Sequence, residues 1–133
     1  MELLEAKENR TYIPLSQRDE PEEKQMRVIL GSLNAAEEAY LRDAAQVDED
    51  GNTAIKNGTE YFRALSVGVV RFDNITKGGE PFEIKRDPTK GRLPGGKSPW
   101  SDDLMLLPRQ MRDEIALEVV KYVFLSEEAL KNL

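Results

Sequence analysis

The sequence contains no cysteine and no histidine among its 133 residues. Disulfides, thiol nucleophiles, imidazole acid–base catalysis and the commonest ligands of zinc, copper and haem iron are therefore missing. Most enzyme classes lose their usual catalytic groups with these two residue types, so we expect no enzyme activity, no metal site and no cofactor. Aromatic residues make up only 7% of the chain, which predicts a modest core.

Long apolar stretches are also missing. The longest strongly apolar run, Leu104 to Leu107, is far shorter than the roughly 20 residues that cross a bilayer. The first residues lack the basic head and apolar stretch of a signal peptide. We therefore expect no membrane contact and a location in the cytoplasm or in a virion. The length suits a single domain spanning residues 1–133.

The charge of the chain is acidic, with 25 Asp and Glu against 19 Lys and Arg and a net charge of −6. An acidic surface repels nucleic acid, so nucleic-acid binding is not expected. Residues 85–100 depart from this pattern, because their prolines, glycines and basic side chains predict a basic Pro/Gly-rich loop. Its candidate electrostatic residues, which suit an acidic partner surface or another copy of the chain, are Lys85, Arg86, Lys90, Arg92 and Lys97.

Within this loop, Gly91–Ser98 matches the phosphate-binding pattern G-x-x-x-x-G-K-[ST]. A working nucleotide site needs a buried strand before the loop and a helix that starts at the lysine. Polar residues precede this segment, and Pro99 disfavours a helix after it. The sequence therefore favours a basic loop over a nucleotide-hydrolysing site.

Periodicity and turn residues predict an α+β fold that is predominantly helical, with three to four helices and a small antiparallel sheet or hairpin. The strands are predicted at about 26–31 and 69–84. Prolines divide residues 1–25, which predicts an extended N-terminal arm. A first helix begins at Asn34, where a capping box forms, and its apolar face extends to Val47.

A second helix begins at Thr59, and its apolar stripe continues to Phe72. Gly68 interrupts this stripe at a cost of roughly 1 kcal/mol relative to alanine. Either a neighbouring backbone comes close at Gly68, or the residues after it form a strand. The longest helix follows Pro108 and ends at about Leu125, and Ser126 caps a last short helix.

The C-terminal half of the longest helix carries a second apolar surface. This surface is either buried within the domain or contacts a subunit or client protein. Trp100 is either a core residue or an interface anchor, since tryptophan is enriched at interface hot spots. The candidate partner interface comprises Leu117, Val120, Phe124, Leu125, Leu130 and Trp100.

The order of several segments resembles the small tail assembly chaperone-like proteins of long-tailed, siphophage-type bacteriophages. The likeness covers most of the chain and is carried by Tyr12–Glu23, Asn34–Asp43, Ala64–Ile75, Leu107–Ile115 and Leu125–Glu128. The loop from Lys85 to Trp100 departs from it, being longer and more basic than expected.

The resemblance implies a non-enzymatic assembly factor in the host cytoplasm. Such a factor binds the phage tape-measure protein and helps to recruit the tail-tube protein, and it needs no cofactor. Assembly into a homo-oligomer is a further expectation. Two alternatives stay open: a structural virion component of the tail or connector, and a small phage regulator that binds a host protein.

Overall fold

The computed structural model describes residues 9–47, 50, 53–55, 58–87 and 99–131. Its strands and longer helices are β1 (Arg10–Tyr12), β2 (Arg27–Leu30), α1 (Ala35–Ala44), β3 (Ala45–Val47), β4 (Thr53–Ile55), α2 (Gly58–Gly68), β5 (Val69–Asp73), β6 (Ile75–Lys77), β7 (Glu80–Phe82) and α3 (Arg109–Lys131). Short 3-10 helices span Leu15–Gln17, Glu22–Lys24 and Asp102–Leu106. The chain is therefore α+β, as predicted, but its strand content means that it is not clearly predominantly helical.

A three-stranded antiparallel sheet in the order β1-β2-β5 forms the main sheet. The central strand, β2, buries Val28, Ile29 and Leu30, so both of its faces are covered. Its position confirms the strand predicted at about 26–31. The two other sheets are the hairpins β3-β4 and β6-β7, and the second turns at Gly78 and Gly79, whose φ angles are 61° and 81°. Positive φ at both central residues is typical of a tight hairpin turn that favours glycine.

The predicted N-terminal arm is part of the fold over residues 9–25, while residues 1–8 lie outside the described part. β1 joins the sheet, and Arg10 forms a 3.2 Å ion pair with Glu118 of α3. The Tyr12 hydroxyl donates a 2.6 Å hydrogen bond to Glu114, and the same carboxylate oxygen accepts a 2.8 Å bond from the Leu15 amide. The arm is thus held between the sheet and α3.

The capping box predicted at the start of α1 is confirmed. The Asn34 Oδ1 atom accepts the Glu37 amide at 2.8 Å, and Glu37 Oε1 accepts the Asn34 amide at 3.0 Å. The predicted extension of the helix to Val47 is wrong, because α1 ends at Ala44. Residues 45–47 instead form β3, whose backbone groups find partners in β4.

Helix α2 begins at Gly58, one residue before the predicted Thr59, and ends at Gly68. Of the two alternatives at Gly68, the strand is confirmed, because Val69–Asp73 form β5 within the region predicted at about 69–84, and the helix does not continue to Phe72. A close approach also occurs there: a Cβ on Gly68 would lie 3.0 Å from Val119 Cβ and closer still to both of its methyl carbons. The Gly68 carbonyl accepts the Gly31 amide at 2.9 Å, which ties the end of α2 to the sheet.

Helix α3 follows Pro108, as predicted, but runs without a break to Lys131. The separate short helix predicted from Ser126 is wrong. A serine inside a helix costs little, and the residues after it are mostly strong helix formers, so nothing local stops the helix. Ile115, Ala116, Val119 and Val120 are buried, and α3 packs against α1 and α2.

We predict that Gly68→Ala lowers the free energy of unfolding by about 1–3 kcal/mol, because the added methyl group overlaps Val119. In a Val119→Ala background, where space is available, the same substitution should cost clearly less. Urea unfolding of the four proteins in this double-mutant cycle measures the coupling. Additive effects would contradict the contact.

The Tyr12 hydroxyl gives a second prediction. Burial, followed by the hydrogen bond to Glu114, raises the pKa of Tyr12 above its ordinary value of about 10. The stability that this neutral hydroxyl contributes is complete below about pH 10 and is lost as the pH rises further, because the unfolded chain ionises first. Tyr12→Phe should lower the free energy of unfolding by about 1–2 kcal/mol at neutral pH and flatten its decline above about pH 10.

Urea unfolding between neutral and strongly alkaline pH tests this prediction. Tyr61→Phe is the matched control, since Tyr61 is also half-buried and no described hydrogen bond involves its hydroxyl. Equal losses in the two variants would show that the Tyr12 bond to Glu114 adds no stability.

Candidate functional site

The structure divides the predicted partner interface. Val120 and Trp100 are only 1% and 7% exposed, so both side chains belong to the core and leave almost no surface for a partner. Their proposed role as interface residues is therefore corrected: the second apolar side of α3 is covered by the domain itself at Val120. Trp100 fills the core, where its ring contacts Phe72 with a centroid distance of 5.0 Å.

The other predicted interface residues lie along α3. Leu117 is half-buried and packs against the core. Phe124, Leu125 and Leu130 lie in the C-terminal part of α3, where the helix backbone is described and the side chains fall outside the description. A partner contact of these three residues stays a prediction.

Trp100 and Arg86 act together at the C-terminal end of α2. The last carbonyls of a helix have no partner within the helix and need donors from elsewhere. Trp100 Nε1 donates to the Leu65 carbonyl at 3.2 Å, and Arg86 Nη2 donates to the Ser66 carbonyl at 3.0 Å. The Arg86 guanidinium also lies 5.4 Å from the centroid of the Trp100 ring. Its positive charge is placed where the helix dipole favours a cation.

The two ends of the predicted basic loop are joined at its base. Arg86 and Trp100 form an antiparallel bridge, the Asp87 amide donates to the Pro99 carbonyl at 2.8 Å, and the Ser101 amide donates to the Lys85 carbonyl at 3.0 Å. Lys85 is exposed. Lys90, Arg92 and Lys97 lie outside the described residues, as does the whole phosphate-binding pattern. Of the two basic loop residues in the described part of the chain, Arg86 has a structural role as a donor to the end of α2.

An apolar groove of about 430 Å³ lies between α2, the last 3-10 helix and the first turns of α3. We call it the α2–α3 groove, and its lining residues are Tyr61, Phe62, Leu65, Met105, Arg109, Arg112 and Asp113. Phe62 and Met105 are 37% and 56% exposed. Large exposed apolar side chains gathered at one concave surface are typical of an interaction site.

The 3-10 helix explains why Met105 faces outwards. A 3-10 helix repeats every three residues, so Leu104 and Leu107 point in one direction, and both are buried. Met105 and Leu106 then face the other way, with 56% and 57% of their surfaces exposed. The apolar run from Leu104 to Leu107 is therefore divided between the core and the surface.

The groove contains two arginines from the first turn of α3. Arg109 lies 3.6 Å from Asp113, and its side chain is 86% exposed. The Arg112 guanidinium lies 5.4 Å from the centroid of the Phe62 ring, and its Nη1 atom donates to Met105 Sδ at 3.2 Å. The sequence interpretation missed this cluster. Its signal was present, since two arginines and no acidic residue in a first helical turn oppose the helix dipole.

A polar cluster on α1 and α2 has a structural role. The Tyr40 hydroxyl donates to Glu60 at 2.5 Å and accepts from Arg63 at 2.8 Å. A tyrosine hydroxyl is protonated at neutral pH because its ordinary pKa is about 10, and burial, followed by the bond to Glu60, raises the pKa of Tyr40 further. A protonated tyrosine is a hydrogen-bond donor and no base, and this one links the two helices.

Comparison with protein-family models, with curated proteins and with solved structures finds no match for this chain. The resemblance to phage tail assembly proteins therefore stays a prediction. Among the described residues, no group of three or more acidic side chains is arranged to hold a metal ion. No helix in the described ranges is long and apolar enough to cross a membrane.

We predict that Arg86→Met lowers the free energy of unfolding by about 1–3 kcal/mol, because it removes a charged hydrogen bond to the α2 terminus and the contact with Trp100. Lys85→Met is the matched control and should change stability by less than about 0.5 kcal/mol, since Lys85 is exposed. Thermal and urea unfolding measure both variants. Equal effects would contradict a capping role for Arg86.

Proposed function

We propose that this protein is a non-enzymatic phage tail assembly factor that acts in the host cytoplasm. In this proposal it binds an apolar helical segment of the tape-measure protein and helps to recruit tail-tube subunits. The α2–α3 groove is the contact surface. The observation that carries the proposal is the exposure of Phe62 and Met105 at this groove, on a chain with a net charge of −6.

In this proposal the client contacts the α2–α3 groove and not Val120 and Trp100, which are buried. Val120 and Trp100 cannot reach a client without unpacking the core, whereas Phe62 and Met105 are accessible in the folded protein. Met105 is flexible and polarizable, and methionines of this kind adapt to apolar partners of different shape. Binding of a helix in such a groove uses side chains spaced three and four residues apart on one helical face.

The charge of the protein suits a chaperone role. Covering an apolar helix removes surface that otherwise aggregates, and a net charge well away from zero keeps the complex dispersed. Neither step needs a catalytic group, which agrees with the composition of the chain. The proposal therefore assigns one surface to the client and the acidic remainder to solubility.

We expect the tagged protein, co-expressed with the tape-measure and tail-tube proteins of its phage, to retain the tape-measure protein. A Phe62→Gln/Met105→Gln variant should retain at least about 10-fold less, because interface anchors that fill an apolar pocket contribute most of the binding energy. Leu15→Gln is the matched control, since Leu15 is 61% exposed and does not line the groove. Quantitative mass spectrometry of the retained proteins gives the ratio.

Circular dichroism confirms that each variant is folded before the ratio is interpreted. Failure of the wild-type protein to retain the tape-measure protein would overturn the proposed function. Retention of a host protein instead would support a regulator, and copies of the chain in purified virions would support a structural component. Either of these results would replace the assembly-factor proposal.

A further inference from the structure

Arg112 lies in the α2–α3 groove, where none of the described residues is its acidic partner. Its described contacts are the face of the Phe62 ring and the sulfur of Met105, and no carboxylate of the described residues pairs with it. Its Nε atom is buried and has no hydrogen-bond partner. A guanidinium carries five N–H donors and forms its strongest bonds with carboxylates, in a two-pronged geometry. Among the described residues, most of the hydrogen-bond donors of Arg112 have no partner.

The surroundings of Arg112 increase the positive potential at this end of the groove. The first turn of α3 contains Arg109 and Arg112 and no acidic residue. The unpaired amides at the N-terminus of the helix carry a partial positive charge, which adds to the potential of the two guanidinium groups. Asp113 pairs with Arg109 at 3.6 Å, so the carboxylate in the groove lining is already engaged. A chain with a net charge of −6 thus presents a local positive site beside an apolar surface.

The two halves of the groove define the chemistry of an occupant. Phe62 and Met105 provide an apolar surface, and Arg112 lies against both of them. Residues three or four apart on a helix lie on the same face, about 5–6 Å from one another. A helix with a leucine-like side chain and an acidic side chain at this spacing presents one group to each half.

We propose that the α2–α3 groove binds a partner helix that places an apolar side chain against Phe62 and Met105 and, one turn away, a carboxylate on Arg112. This deepens the proposed function, on which it rests, by naming the feature of the client helix that the groove recognises. Arg112 then serves as the specificity-determining residue. Apolar contact supplies attachment, and the paired carboxylate selects one helix over others of equal hydrophobicity.

Two synthetic helical peptides of about 16 residues, a length at which an isolated helix is stable enough to use, test the proposal. Both carry two leucines four residues apart on one face, and they differ only in having glutamate or glutamine one turn further on. Fluorescence anisotropy of labelled peptides measures binding to the full chain. The glutamate peptide should bind at least about 10-fold more tightly than the glutamine peptide at low salt.

Variants of the chain test whether Arg112 is the residue that distinguishes the glutamate peptide from the glutamine peptide. Arg112→Gln should bring the two peptides to within about twofold of each other, and Arg112→Lys should restore part of the difference, because it keeps the charge and loses the two-pronged geometry. Arg71→Gln is the control and should keep the full difference, since Arg71 lies in β5 and pairs with Asp73. Circular dichroism confirms that all variants are folded.

Equal binding of the two peptides to the wild-type chain, or unchanged selectivity in Arg112→Gln, would overturn the inference. Self-association of the chain that disappears in Arg112→Gln would also overturn it, because the occupant would then be a second copy. These outcomes are distinct from a failure of the proposed function. Retention of the tape-measure protein without peptide selectivity removes only the inference, and peptide selectivity without retention removes only the function.

Discussion

The close contact between Gly68 and Val119 is the constraint on which the rest of the structure depends. Because Gly68 has no Cβ, α2 and α3 approach each other at this point, and α2 ends there. Its carbonyl then accepts the Gly31 amide, and β5 begins at the next residue. The α2–α3 groove lies about two turns earlier on both helices, at Phe62 and Arg112. The contact that joins helices to sheet therefore also sets the separation of the groove walls.

The C-terminal end of α2 draws its hydrogen-bond donors from three distant segments. Gly31 follows β2, and Arg86 and Trp100 lie at the two ends of the basic loop, yet all three bind carbonyls in the last turn of one helix. The end of α2 thus adds contacts to segments that are also joined by backbone pairing, β2 to β5 and Arg86 to Trp100. This arrangement explains why a chain with few aromatic residues places its one tryptophan in the core and beside an arginine.

Local signals in the sequence predicted local structure well. β2 and the capping box of Asn34 and Glu37 each depend on residues close together in the chain, and both were identified. The end of α2 and the burial of Trp100 depend on contacts between residues at least 20 positions apart in the chain, which periodicity does not report. The stripe containing Val120 shows the same limit, because a helix buried on two sides and a helix with a binding face have the same pattern. The candidate site was missed, although the arginines of the first α3 turn were visible as an electrostatic inconsistency.

Because the two ends of the basic loop are hydrogen-bonded to each other, the stability of the fold should depend only weakly on the length of the loop. Backbone hydrogen bonds join Lys85–Asp87 to Pro99–Ser101 at the base of this loop. Lengthening the intervening segment then adds only closure entropy, about 0.6 kcal/mol for each doubling. A change in the length of this segment should therefore cost the fold little, whereas loss of the backbone bonds at its base would release the donors that cap α2.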